Sequence, residues 1–266
     1  METTFLMLAV RTLLLLALIA YGLALACVFP AFSASRQLKE MQRWSQSLLK
    51  ILNVQMRVHA HQGPLRKEGQ LVLANHISWL DVFVINANTP ARFVAKSDVR
   101  SWPLIGWMVR RSGTLFIRRE YRRDATRANQ LVTNCLLGGE RVAIFPQGTT
   151  TDGTEPVQFH SAMVQSAIDA KCTVQPLSIR YHDDQGRALT AVAFTGHTTF
   201  AASLWRILCL SQLNVTVTYL GELHCLDSAR REIAKAAQVA VNASLESQGC
   251  EARLISGGGA RLCAVN

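Results

Sequence analysis

Leu71-Val72-Leu73-Ala74-Asn75-His76-Ile77-Ser78-Trp79-Leu80-Asp81 passes from an apolar run, read as a strand, through a short polar turn into helix-forming sequence. The turn sets a histidine and a carboxylate at the mouth of a strand-to-helix junction. Neutral imidazole accepts a proton near physiological pH, and a nearby carboxylate fixes its tautomer and stabilises the imidazolium formed as the proton moves. Residues five apart on an ideal helix diverge by roughly 140°. His76 and Asp81 therefore converge only if His76 lies in the turn, ahead of the helix. The alternative is a capping Asn75 with an exposed His and Asp on a surface helix.

Outward from this junction, short apolar or β-branched runs alternate with helical stretches. Strands are expected at Val54–Val58, Gln70–Ala74, Arg92–Ala95, Thr114–Ile117, Arg141–Phe145, Thr173–Ile179, Thr190–Phe194 and Asn214–Tyr219. Helices are expected at Ile77–Asn88, Asp98–Arg111, Asp124–Leu137, Ser161–Ala170, Phe200–Cys209 and Ala229–Glu246. This alternation predicts an α/β fold, a central mostly parallel or mixed sheet flanked by helices, with active residues in loops at the carboxyl ends of the strands. The chain divides into an N-terminal region over 1–53, one domain over 54–247, and a tail over 248–266 whose Gly257-Gly258-Gly259 reads as a frayed end.

The N-terminal region carries no charge from Leu13 to Phe32, a length sufficient to span roughly 30 Å of hydrocarbon as a helix. Arg36, Lys39, Arg43 and Lys50 follow it, against Arg11 alone before it, so the positive-inside rule puts the body of the protein on the cytoplasmic side of the inner membrane. A cleaved signal would want a basic start, and Met1-Glu2-Thr3-Thr4 is not basic. The next segment, 35–53, has Leu38, Met41, Leu48 and Leu52 at helical spacing among cations. It is either an interfacial helix or a helix facing the core.

A formal charge of +10 attracts anions, including acidic headgroups, acidic carrier proteins and phosphorylated substrates. The paired arginines lack interleaved aromatics and zinc-finger spacing, which argues against nucleic acid. Seven cysteines, odd in number and never in a Cys-x-x-Cys pair, read as reduced, mostly buried thiols rather than disulfides or a metal site.

Three further stretches end strands. Gly113-Thr114-Leu115-Phe116-Ile117-Arg118-Arg119 leaves a glycine and finishes in two guanidinium groups suited to a phosphate or carboxylate. Phe145-Pro146-Gln147-Gly148-Thr149-Thr150 closes a strand in a glycine turn that lets backbone N–H groups approach a ligand. Val174-Gln175-Pro176-Leu177 completes the set. In this order, over roughly Leu71 to Ile179, the four stretches resemble the sequence blocks of the glycerolipid acyltransferase family, which contains the bacterial 1-acylglycerol-3-phosphate acyltransferases.

The resemblance implies a membrane-bound acyltransferase. His76 would be the general base and Asp81 its orienting partner. Gly113, Phe116, Ile117 and Arg119 would form an acceptor-binding strand, and Phe145, Pro146, Gln147, Gly148 and Thr149 a second binding loop. It implies transfer from acyl carrier protein or acyl-CoA, as co-substrate, to a lysolipid hydroxyl, most simply 1-acylglycerol-3-phosphate, with no other cofactor and no metal. Two positions depart from the family pattern: Gln147 stands where the third block normally has glutamate, and Thr150 where it often has arginine. Thr150, with the following Asp152-Gly153 and Phe159-His160-Ser161, looks more like the branch that acylates lyso-ornithine lipid. Gln147 raises a third reading, a noncatalytic lipid-binding paralogue.

Overall fold

The computed structural model describes residues 4–60, 69–97, 105–117, 122–196, 198–226 and 228–256. Eight strands are described: β1 (Val54–Ala60), β2 (Gln70–Ala74), β3 (Arg92–Lys96), β4 (Leu115–Ile117), β5 (Arg141–Ile144), β6 (Thr173–His182), β7 (Leu213–Tyr219) and β8 (Leu223–His224). They form one sheet in the order β1-β7-β6-β2-β5-β3-β4, with β8 beside the start of β6. β6, β2, β5, β3 and β4 run parallel, whereas β7 lies antiparallel to β6 and parallel to β1. The sheet is mixed, as the sequence predicts. β2 sits in the middle, and all five of its residues are buried. That burial is why Leu71-Val72-Leu73 is apolar without alternation.

Helices cover both faces: α1 (Phe5–Val28), α2 (Ala34–Ile51), α3 (Leu80–Asn88), α4 (Ile105–Arg111), α5 (Arg122–Leu137), α6 (Gln165–Asp169), α7 (Phe200–Cys209) and α8 (Arg230–Ser256). One core cluster joins α1, α2, α3 and α7 to one face of the sheet through Leu18, Leu48, Val84 and Ile207. The other joins α5 and α8 to the opposite face through Val132, Ile233 and Ala237.

α2 faces the core rather than standing apart. Leu48, Leu49 and Leu52 are buried, and the Gln42 and Gln46 side chains donate to Ala87 O at the end of α3 at 3.2 and 2.9 Å. Its cations Arg36, Lys39, Arg43 and Lys50 remain exposed. α1, apolar and long enough to cross a membrane by length and composition, is divided along its length. Arg11, Leu15, Leu18, Gly22 and Ala26 are buried against the protein, at the three- and four-residue spacing of one helical face. Phe5, Leu6, Leu13 and Leu16 on the other side are exposed.

Two contacts fix α1 to the domain. Gly22 allows a close approach, because a Cβ there would fall 2.5 Å from Met108 Cε of α4 and 2.7 Å from Trp44 Nε1 of α2. Arg11 donates from Nη1 to Leu208 O (3.2 Å) and Leu210 O (2.5 Å), and from Nη2 to Ser211 O (2.8 Å). The guanidinium therefore caps the carbonyl end of α7, where the helix dipole also favours a cation.

Several features depart from the sequence reading. Thr190–Val192 is a 3-10 turn leading into extended chain rather than a strand, because the Phe194 N–H bonds to the loop at Ile77 O (2.9 Å) instead of to a ladder. The cysteines are less buried than expected: Cys225 is buried, Cys135, Cys172 and Cys209 are half-buried, and Cys27 and Cys250 are exposed. α8 continues to Ser256, past the expected end at Glu246, so the tail expected from 248 begins in helix.

Replacing Arg11 by Met keeps the apolar stem and leaves three carbonyls without their charged donor. Loss of such bonds should cost about 3 kcal/mol. Thermal unfolding in detergent should show a clear drop in Tm, and an unchanged Tm would mean that the cap does not hold α1 in place.

Candidate active site

β2 ends at Ala74 and the helix does not begin until Leu80, three residues later than the sequence suggested. The delay has a local cause. Asp81 Oδ2 accepts the backbone N–H groups of Ile77 (2.7 Å) and Ser78 (2.9 Å), which keeps both residues out of the helix. His76 thus sits in the turn, and its Nδ1 lies 2.8 Å from the same Oδ2. Asp81 is fully buried, and its other oxygen, Oδ1, accepts the Tyr181 hydroxyl at 2.7 Å. The carboxylate is therefore satisfied by four donors, with no Lys or Arg paired to it among the described residues, and hydrogen bonding of this kind is what makes a buried charge tolerable.

An acceptor at Nδ1 dictates the tautomer. A carboxylate can only accept, so Nδ1 carries the proton and Nε2 offers its lone pair. The ring is one-fifth exposed and stacks on Phe145, with centroids 3.9 Å apart and planes 7° from parallel. Phe93 backs Phe145 at 5.9 Å. With Nδ1 engaged, Nε2 is the ring nitrogen left to take a proton when the imidazole is neutral.

The loop after β5 closes the other side. Gln147 Oε1 accepts the His76 N–H at 2.6 Å, and its Nε2 reaches Thr151 Oγ1 at 3.5 Å. The Thr151 N–H in turn bonds to His76 O at 2.9 Å. Both main-chain groups of His76 are thereby clasped by this loop. An amide oxygen does here what a carboxylate oxygen would do, so Gln147 keeps the His76 turn braced without adding a charge. The side chain of Gln147 thus serves the His76 backbone.

Gly148 takes a positive φ of +79°, the left-handed region that favours glycine, and its own N–H closes a turn onto Phe145 O at 3.2 Å. Thr149 is exposed, Pro146 is buried, and Thr150 donates through its hydroxyl to Phe194 O.

The second block is spread along its strand. Ile117 ends β4 level with Lys96 at the same sheet edge as His76, but three strand spacings away, about 14 Å. Phe116 pairs one residue deeper, opposite Ala95. Gly113 lies below β4, away from His76. Its O accepts Arg92 Nη1 at 3.2 Å, and with φ +79° any Cβ would meet that nitrogen at 2.5 Å. Arg119 lies outside the described residues.

Two contributors were not legible from the sequence: Tyr181, one hundred residues beyond Asp81, and the second role of Asn75. The Asn75 amide exchanges bonds with Ile179, donating to its O at 2.9 Å and accepting its N–H at 2.7 Å, which adds a rung between the turn and β6. Cys172 and Cys225 lie at the opposite end of the sheet, and burial pushes both thiols up to about 11, so neither is a thiolate at neutral pH. Among the described residues no three His, Cys, Asp or Glu side chains converge as a metal site would require.

Burial, followed by the charge and hydrogen bond of Asp81, raises the Tyr181 phenol well above its ordinary value. It holds its proton more tightly folded than unfolded, so its contribution to stability is whole below about pH 10 and declines above. Tyr181→Phe leaves Asp81 Oδ1 without its donor and should cost about 1–3 kcal/mol near neutral pH. The alkaline decline should also flatten, read as Tm against pH. A Tm curve matching the wild type would remove Tyr181 from the support of Asp81.

A family model described as Acyltransferase matches residues 53–180, a span from β1 into β6 that holds His76, Asp81 and Gln147 and stops one residue short of Tyr181. The lyso-ornithine lipid O-acyltransferase of Pseudomonas aeruginosa is 34% identical over 90% of this chain and 93% of its own. The 1-acyl-sn-glycerol-3-phosphate acyltransferase of Neisseria meningitidis is 37% identical over 63% of this chain, a match spanning 66% of that protein, just under two thirds of its length. In fold, the chain is similar to the crystal structure of the 1-acyl-sn-glycerophosphate (LPA) acyltransferase PlsC from Thermotoga maritima. That likeness has a TM-score of 0.62 and 19% identity, covering 89% of this chain and 97% of the other. By the extent of the Pseudomonas match and the position of the family match over His76, Asp81 and Gln147, the chain belongs to the acyltransferase family.

Proposed function

We propose that the protein is a membrane-associated O-acyltransferase that esterifies the free hydroxyl of a lysolipid, and that 1-acylglycerol-3-phosphate is its acceptor. The observation that carries this reading is the His76–Asp81 pair, with Nδ1 held by a buried carboxylate on a ring that keeps one-fifth of its surface exposed. In the reaction, Nε2 takes the hydroxyl proton as the oxygen attacks the thioester carbonyl of acyl carrier protein or acyl-CoA. The new C–O bond forms, the C–S bond breaks, and the imidazolium returns its proton to the departing thiolate. No acyl-enzyme is needed.

A second acceptor, lyso-ornithine lipid, is favoured by one comparison: the Pseudomonas relative named for it matches along nearly the whole chain. Thr150 points the same way. Its hydroxyl is committed to Phe194 O, so the position supplies no cation for a phosphate.

Membrane association is supported by the apolar α1 and by relatives that act on membrane lipids by name. The +10 charge and the exposed cations of α2 support the cytoplasmic face of the inner membrane. By length alone α1 could form a single span, but its buried stripe from Arg11 to Ala26 packs along the domain and favours a helix that does not cross. The Arg11 bonds to α7 hold the N-terminal half of α1 beside the domain, which supports a helix lying in the cytoplasmic leaflet. The basic surface also suits an acidic carrier protein as donor.

Purified protein with labelled acyl donor and each acceptor in turn tests the assignment. His76→Ala should lower turnover about 10²- to 10⁴-fold, the range for a lost general base. Turnover unchanged by that substitution would remove His76 from the mechanism, and a strong preference for lyso-ornithine lipid would reject the phosphate ester as acceptor.

A further inference from the structure

We propose that α7 is a second membrane-contacting element, resting in the same lipid leaflet as α1 and so holding the catalytic turn at the bilayer surface. This rests on the reading above that the acceptor is a membrane lipid, and it assigns a surface that reading does not need. α7 turns Ser203, Ile207 and Leu208 inward, and leaves Trp205 56% exposed beside an exposed Arg206. A water-facing tryptophan of that exposure, next to a cation, is the pairing that sits at headgroup depth, with the indole at the boundary with the acyl chains and the guanidinium among the phosphates.

The occupant follows from continuity. The Arg11 cap locks the end of α7 to α1, and Ile207 and Leu208 share a core with Leu15 and Leu18 of α1. The outer face of α1, with Phe5 87%, Leu6 73% and Leu13 67% exposed, is too long and too apolar to face water alone. A bilayer that receives that face meets a helix fastened to it.

α7 is also fastened to the chemistry. Trp79, midway between His76 and Asp81, donates from Nε1 to Ser203 Oγ at 3.0 Å, and its ring lies 5.0 Å from that of Phe200. Phe194, just before α7, donates its N–H to Ile77 O and accepts the Thr150 hydroxyl. The catalytic turn and the glycine loop therefore both hang on the segment that leads into the lipid-facing helix. A lysolipid could pass its hydroxyl to Nε2 while its acyl chain stays in the leaflet.

The test compares wild type, Trp205→Glu and Trp205→Leu with two acceptors: a long-chain lysolipid in vesicles of phosphatidylethanolamine and phosphatidylglycerol, and a short-chain analogue kept monomeric in water. A carboxylate at headgroup depth should lower turnover on the vesicle acceptor by about tenfold or more, leave turnover on the soluble analogue within about twofold, and spare the leucine variant on both. Vesicle sedimentation, which needs no turnover, should weaken in parallel for Trp205→Glu. Equal vesicle binding and vesicle turnover in wild type and Trp205→Glu would overturn the proposal. So would an equal loss on both acceptors, which would make Trp205 structural, or a raised KM for the acyl carrier donor with either acceptor, which would assign the face to a protein. An active His76→Ala enzyme would sink the reaction assignment instead, and leaves the sedimentation result standing.

Discussion

A single buried carboxylate organises this molecule. Asp81 gathers a ring nitrogen, two backbone N–H groups and a phenol onto two oxygens, and each bond fixes something different. The backbone bonds delay the start of α3 and create the turn in which His76 can face back. The ring bond sets the tautomer. The phenol bond comes from β6, on the far side of β2, so it ties the turn to the sheet. Removing the carboxylate would leave several buried donors without a partner, each of which costs free energy. The same feature ties the turn together and engages one of the two ring nitrogens of His76.

The chain then builds outward from that turn in two directions. Toward the sheet, Gln147, Thr151 and Asn75 hold the main chain of the turn by complementary hydrogen bonds, so the ring needs only Phe145 to fix its plane. Toward the surface, Trp79 and Phe194 lead into α7, and Arg11 leads from α7 to α1. An apolar N-terminal helix is thereby joined to the turn that carries His76 through a few specific contacts rather than through a flexible linker. On the proposed reading, such coupling would let the position of the membrane define the position of His76.

Much of this was legible in the sequence where the signal was local. β2 and α7 occupy their expected bounds, because an apolar run ended by a polar turn and an amphipathic stretch opened by Thr199 leave little choice. Helical geometry set the condition for His76 and Asp81 to converge, that His76 lie ahead of the helix, and left open whether it is met. What escaped the sequence depends on long-range partners. Tyr181 has no motif around it and matters only because β6 lies next to β2. Thr190–Phe194 has the β-branched and apolar composition of a strand, yet its backbone bonds go to a loop. Arg11 reads as a charge flanking a hydrophobic span until α7 presents its carbonyl end. Gln147 reads as a missing carboxylate until its oxygen is seen on the His76 N–H.

The claim beneath the whole account is that Asp81 holds the neutral His76 ring with its proton on Nδ1, leaving Nε2 as the base. Nitrogen-15 NMR of histidine-labelled protein reads the tautomer directly. The account expects the neutral ring of His76 to carry its proton on Nδ1, with a strongly downfield proton resonance that disappears in Asp81→Asn. A neutral ring protonated on Nε2, or one whose spectrum is indifferent to Asp81→Asn, would contradict it.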